Sequence, residues 1–274
     1  MSLFLRKGCS VFMNDQSNGE KKDNKAVKII LIILSVLMIV FGSISFGYYL
    51  YNRYIPLPEA ETTTVSSVRE TEGKVDNPID FPALQKGNED IYAWIKVPGT
   101  EVDYPVCQSS VDDEFYLRHR AEDRQWLSSG AIYTEVWNTK TFRDRVTVIY
   151  GHNGYRNASM FTTLHKFEKQ DFFNKHDRFY IYTPDSKLTY QIISAFKYDD
   201  RHIMASFDFQ NNAVFADFLS MIENPDSTNK NVRSELDREL TQDDNIVVLS
   251  TCITNQKSKR YLVCGVLIKD EKTN

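Results

Sequence analysis

The sequence predicts a mainly β domain, a closed barrel or a sandwich, carried behind one N-terminal membrane helix. Three observations lead there. About eight short strand-like runs are punctuated by turn residues, few segments show helical periodicity, and one long stretch near the N-terminus is apolar and uncharged.

The uncharged stretch is residues 29–51, IILIILSVLMIVFGSISFGYYLY. As a helix rising ~1.5 Å per residue it reaches about 34 Å, enough to cross a bilayer with some tilt. Tyr48, Tyr49 and Tyr51 fall where an aromatic belt lies. Residues 1–28 carry Arg6, Lys7, Lys21, Lys22, Lys25 and Lys28, whereas Arg53 stands alone in the fifteen residues after Tyr51. The positive-inside rule therefore places the tail in the cytoplasm and the bulk of the chain outside. A cleaved signal peptide fits less well, because the run exceeds the usual apolar core and no A-x-A-like site follows it. Residues 52–76 are rich in Thr, Ser, Glu and Pro, a linker composition, and residues 77–274 form the extracellular domain.

Within that domain, residues 92–97 (YAWIKV) and 102–107 (VDYPVC) flank the turn Pro98-Gly99-Thr100 and read as a hairpin. Residues 131–134 and 145–150 (RVTVIY) follow as strands. Residues 179–183 and 188–196 make a second hairpin about Pro184-Asp185-Ser186, and 246–249 and 261–268 close the set. Residues 159–167 (SMFTTLHKF) read as a short helix. Residues 213–222 read as a better one, since Val214, Phe215, Phe218, Leu219 and Ile222 form one apolar stripe that packs on the barrel. Asn224-Pro225 ends it. This helix lies in the long connection before the strand that starts near Asn245, and connections of that length usually carry structure or function.

Charge narrows the function. The chain's net −4 hides a basic tail; beyond residue 28 there are 27 Lys/Arg against 34 Asp/Glu. A mildly acidic outer domain gives no support for nucleic-acid binding. Four cysteines are too few for a disulfide scaffold, and three of them (Cys107, Cys252, Cys264) fall outside. At least one thiol stays free unless two chains are bridged, which makes it a candidate nucleophile.

The stretch NIVVLSTCITNQKSKRYLVCGVL shows which one. An apolar strand ends in Leu249-Ser250-Thr251-Cys252, seven mostly polar residues follow, and Arg260 opens the next strand. If the two strands pair, Cys252 and Arg260 face each other across the loop. The guanidinium favours a thiolate and offers fixed N–H donors to an oxyanion. Such a nucleophile needs a proton carrier, most often histidine. His152 sits immediately beyond a strong strand, in VIYGHN, where Gly151 allows a tight turn. His165 lies in a helix, His119 and His176 sit among charges, and His202 in the long connection is the weaker competitor. The plainer readings stand beside this one: Cys107 and Cys264 as structural residues, Arg260 as a solvated charge, His152 as a turn residue.

Together these residues resemble the sortase family, membrane-anchored cysteine transpeptidases of Gram-positive bacteria. The matching signature is LSTC at 249–252, Tyr150-Gly151-His152 after a strand, and Arg260 after the Cys loop, in the order His, Cys, Arg. The order differs from papain-like peptidases, where Cys precedes His. The stretches at 77–106, 112–119, 149–153 and 160–167 read as class B. The resemblance implies an eight-stranded β-barrel with N-terminal helices, a helix before the Cys strand, an uncleaved anchor and no metal or other cofactor. It also implies that Cys252 attacks after Thr in a C-terminal sorting signal of the NP-x-T-x kind, with His152 as proton carrier and Arg260 as oxyanion or substrate donor. A peptidoglycan-precursor amine then takes the protein onto the wall. By the same match Ser250, Thr251 and Tyr150 line the signal groove, with Leu117 and Asp113 at its Asn-Pro end. The chain departs from some class B members in having Ile253-Thr254, not acidic residues, after the Cys, and a shorter loop to Arg260. Two alternatives remain at this level: a pilin-polymerising enzyme with a lysine acceptor, and a non-catalytic tethered binding barrel.

Overall fold

The computed structural model describes residues 17–54, 74–154 and 158–274, in two compact units that divide at residue 55. The first unit is one helix, α1 (Ser17–Tyr54), with an apolar segment Val27–Ser45 long enough to cross a membrane. The described apolar side chains of that segment, Met38 and Phe41 among them, are not covered by other parts of this unit. Two serines of the segment turn their hydroxyls back onto the helix, Ser35 to the Ile32 carbonyl and Ser43 to that of Ile39. The side chains of Tyr48, Tyr49 and Tyr51, the tail 1–16 and linker residues 55–73 lie outside the described residues.

The second unit starts where Val75 pairs with the C-terminus: Val75 N–H donates to the Lys272 carbonyl and Asn274 N–H to that of Val75. A short helix, α2 (Phe81–Gly87), follows, capped by Asp80 accepting from Ala83 N–H at 3.0 Å. The strands are β1 (Ile91–Val97), β2 (Val102–Cys107), β3 (Ile132–Tyr133), β4 (Val146–Tyr150), β5 (Arg178–Thr183), β6 (Ser186–Asp199), β7 (Lys230–Val232), β8 (Ile246–Ile253) and β9 (Gln256–Lys272). Their order is β5-β1-β2-β3-β4-β8-β9-β6, and β5 also pairs with β6, which closes a barrel of eight. The three-residue β7 only flanks β6. The β2–β3 and β4–β8 pairs are parallel and the rest antiparallel.

Barrel closure explains the continuous apolar runs. On β8, Val247 and Leu249 point into the barrel with Ile149, Phe161 and Val263. The alternate residues Ile246 and Val248 pack outward, with Val148 of β4, against Phe215, Phe218 and Ile222 of helix α5 (Asn212–Glu223). A strand buried on both faces has no polar alternation to keep. The apolar stripe predicted for residues 213–222 is thus core packing, and Asn211 caps the helix by accepting from Ala213 N–H.

Several elements differ from the sequence expectation. The stretch 159–167 is mostly a 3₁₀ segment, Thr162–Glu168, which runs into the helix α3 (Gln170–Lys175), and a one-turn helix α4 (Ile203–Ser206) precedes α5. The polar stretch after Cys252 is not an open loop. Both strands continue through it, joined by a turn in which Asn255 takes a left-handed φ of 61°. Gly151 does not serve a left-handed turn either: a Cβ there would meet Ile132 Cδ1 at 2.5 Å and the Phe161 ring at 2.7 Å. It is a point of close approach, which no local sequence pattern reveals.

Candidate active site

The site forms where β4, β8 and β9 end at one mouth of the barrel. Cys252 lies opposite Arg260 in the β8–β9 register, directly after Thr251 opposite Tyr261. Lys257, Ser258 and Lys259 then bulge out before pairing resumes between Ile253 and Gln256. The Arg260 Nη1 folds over that bulge and donates to the carbonyls of Lys257 (3.0 Å) and Lys259 (3.1 Å), which steadies one arm of its fork.

The described cysteines separate cleanly. Cys107, Cys252 and Cys264 are all free thiols, and only Cys252 is exposed. Burial pushes the thiols of Cys107 and Cys264 well up, so both stay protonated. Cys264 packs among the apolar residues between the barrel and α5, and Cys107 packs with Ile91 and Tyr116.

On the other side of β8, the parallel β4 ladder ends with Tyr150 beside Ser250, and Gly151 N–H donates to the Ser250 carbonyl at 3.1 Å. His152 comes next. Its Nε2 lies 2.8 Å from the Leu117 carbonyl, which can only accept, so Nε2 carries the proton. In the neutral ring Nδ1 is then the atom that can take a proton. Burial holds this imidazole below its ordinary value; the Leu117 bond opposes that and the Arg118 charge adds to it.

The groove residues gather nearby to differing degrees. Ser250 and Cys252 are two apart and share one face of β8, whereas Thr251 is 1% exposed on the opposite face. The Tyr150 ring stacks on Tyr133 with centroids 5.5 Å apart. Burial first, then the Glu135 carboxylate, push its phenol up, so it remains an O–H donor. Leu117 ends the 3₁₀ segment Phe115–Leu117 and reaches the site through its carbonyl. Asp113 Oδ1 accepts from Val136 N–H at 2.8 Å and so holds the loop after β3.

This arrangement can be compared with known proteins. The sortase domain family matches residues 95–268, which spans most of the barrel and includes His152, Cys252 and Arg260. The chain belongs to the sortase family. It is 29% identical to sortase B of Listeria monocytogenes over 187 residues, covering 68% of this chain and 72% of that protein. Against sortase B of Staphylococcus aureus it is 28% identical over 250 residues, 89% of this chain and 98% of that one. The crystal structure of Clostridium perfringens sortase B superposes with a TM-score of 0.61 at 30% identity, covering 69% of this chain and 99% of that one. The fold and these relatives make it a class B sortase and hence a cysteine transpeptidase.

Sequence spacing missed part of this sortase's site. The next ladder bond of a parallel pair would run from the backbone of residue 153 to the Cys252 carbonyl, but the chain turns away. The Asn153 side chain takes over, its Nδ2 donating to that carbonyl at 3.0 Å and to Thr254 Oγ1 at 3.2 Å. His165 Nε2 lies 3.1 Å from the same carbonyl, and its Nδ1 lies 2.6 Å from Glu168 Oε1. His202, the other histidine near the mouth, has both nitrogens committed. Nδ1 accepts from Ala205 N–H at 3.1 Å, so Nε2 carries the proton toward Glu135 Oε2 at 2.7 Å. His119 bonds the Phe115 carbonyl, and His176 packs against Gly99 and Phe172.

Proposed function

We propose that Cys252 is the nucleophile, His152 the proton carrier and Arg260 the oxyanion donor of a membrane-anchored enzyme that attaches secreted proteins to the cell wall. The observation carrying this is the convergence of three strand ends. The exposed Cys252 stands in register with Arg260, while His152 follows the β4 strand that pairs with β8 up to Ser250. In the first step Cys252 passes its thiol proton to His152 Nδ1 and its Sγ attacks the carbonyl carbon after Thr in an NP-x-T-x-like signal. The C–N bond breaks, His152 hands its proton to the leaving amine, and a thioester remains. In the second, a peptidoglycan-precursor amine attacks that carbon, His152 takes the amine's proton and the thiolate leaves. Ser250, Tyr150, Leu117 and Asp113 line the groove that receives the signal. The charge bias of residues 1–28 supports an anchor with its N-terminus in the cytoplasm and the barrel outside.

The test is intact-mass analysis of the full chain in detergent with an NP-x-T-x peptide, an LPxTG-like peptide, and either a wall-peptide amine or a lysine peptide as acceptor. The expected result is a mass increase equal to the truncated NP-x-T-x peptide, located on Cys252 and discharged by the wall-peptide amine. Preferential discharge by the lysine peptide would assign pilin polymerisation. No adduct with either signal, from a Cys252 that reacts with iodoacetamide, would leave the non-catalytic barrel as the better reading.

A further inference from the structure

Two histidines reach this site, and only one has a role in the proposed chemistry. His165 sits in the 3₁₀ segment Thr162–Glu168, its side chain 22% exposed, with its ring stacked on Tyr261 at a centroid distance of 5.0 Å. Tyr261 is the β9 neighbour of Arg260 and pairs with Thr251, the residue before the nucleophile. The ring is thus clamped flat against the hairpin that carries Cys252.

What its two nitrogens face is informative. Nδ1 meets the Glu168 carboxylate, which takes an N–H in either protonation state of the ring. Nε2 meets the Cys252 carbonyl at 3.1 Å and Asn153 Nδ2 at 3.2 Å, one acceptor and one donor. A neutral ring, with its proton on Nδ1, can only accept at Nε2, so the Cys252 carbonyl is held by Asn153 alone. An imidazolium donates from Nε2 and holds that carbonyl from a second side, with Glu168 balancing its charge. Among the described residues, the charged or titratable groups facing the ring are Glu168 on its own segment, the Tyr261 phenol on β9 and Cys252 on β8. Lys166, its neighbour in sequence, is turned away to the Gly99 carbonyl.

We propose that His165 and Glu168 are a positioning pair for the nucleophile: with Asn153 they hold the Cys252 carbonyl where the β4 ladder has run out. The backbone from which the thiol projects is thereby fixed, and the hold is tighter when the ring is protonated. The thiol is exposed and lies two residues before the β8–β9 turn, where strand ends are free to fray. A small displacement of a nucleophile costs rate without touching the signal groove. The inference rests on Cys252 being the acylated residue.

The experiment measures single-turnover acylation of the full chain in detergent by the NP-x-T-x peptide, from mildly acidic to mildly alkaline pH. Wild type is compared with His165→Ala and His165→Gln, and the melting temperature of each is recorded. His165→Ala is expected to acylate about tenfold more slowly at acidic pH with KM little changed, the gap to wild type closing as pH rises. His165→Gln, whose amide donates without titrating, is expected to stay within about twofold of wild type at acidic pH and to keep a constant offset from His165→Ala, so that it outpaces wild type as pH rises. Equal rates for wild type and His165→Ala at every pH would overturn the proposal, as would His165→Gln being as slow as His165→Ala. If His165→Ala does not fold, loss of the pH-dependent component in His165→Gln alone supports the proposal, and its retention overturns it. No wild-type adduct at all would overturn the assignment of Cys252, and this inference with it.

Discussion

At the scale of single residues, this sortase distinguishes its thiols and histidines by what surrounds them. Cys107 and Cys264 are enclosed and protonated, and Cys252 is exposed. Brief treatment of the native protein with iodoacetamide is therefore expected to label Cys252 within the barrel, with Cys107 and Cys264 reacting only after denaturation. Peptide mapping would check this, and rapid native labelling of Cys264 would contradict its packing against α5. His152 carries a pH signature. Its folded-state value lies below the ordinary 6.5, so on acidification the unfolded chain binds the proton first. The stability this histidine contributes is complete above that ordinary value and is lost as pH falls through it toward the folded one. In urea titrations over that window His152→Gln is expected to lose less stability than wild type. The slope due to His176, also lowered by burial, should persist in both proteins. The same variant is expected to slow transpeptidation by about 10²–10⁴-fold, as loss of a general acid–base does.

At the scale of elements, β4 and β8 are the pair on which the site depends. Closely packed on both faces, they have little room for lost volume, and Leu249→Ala is expected to cost about 2–5 kcal/mol in chemical denaturation. Gly151 is the more specific position. The space for a Cβ is taken by Ile132 and Phe161, so Gly151→Ala must shift the end of β4 or these two side chains, at about 1–3 kcal/mol. Because Gly151 N–H makes the last ladder bond to Ser250 and His152 follows it, acylation is expected to fall by more than the loss of folded protein explains. Single-turnover rates normalised to folded fraction would separate the two effects. The apolar runs of β4, β8 and β9 were legible in the sequence because doubly buried strands must be continuously apolar. The hairpin tip was not. Gln256, Lys257, Ser258 and Lys259 project beyond the barrel into solvent, so nothing in their character distinguishes a strand from a loop. The short β7 and α3 escaped for a related reason: three and six residues carry too little periodicity to read.

At the scale of the whole molecule, the second unit has its own buried apolar core and is closed by pairing Val75 with Lys272 and Asn274. A chain beginning at residue 74 is therefore expected to be soluble and to melt at the temperature of the full chain's barrel. Scanning calorimetry of both would check this, and a clear drop in the shorter chain would mean that α1 supports the fold. The apolar helix, the strand-rich domain and the pairing of Cys252 with Arg260 were legible in the chain alone. Each of these follows from composition, or from neighbours joined by one short turn. His152 was legible as a residue at a strand's end, because strand ends of a closed barrel converge. The folded barrel was needed to show that Thr251 faces inward while Ser250 shares the face of Cys252, and that His202 is bound to Glu135. It alone brought Asn153 and His165 to the Cys252 carbonyl. Those contacts join segments roughly a hundred residues apart, and their partners are set by where a ladder ends and which side chain fills the gap. That is a property of three-dimensional register, which a one-dimensional pattern does not encode.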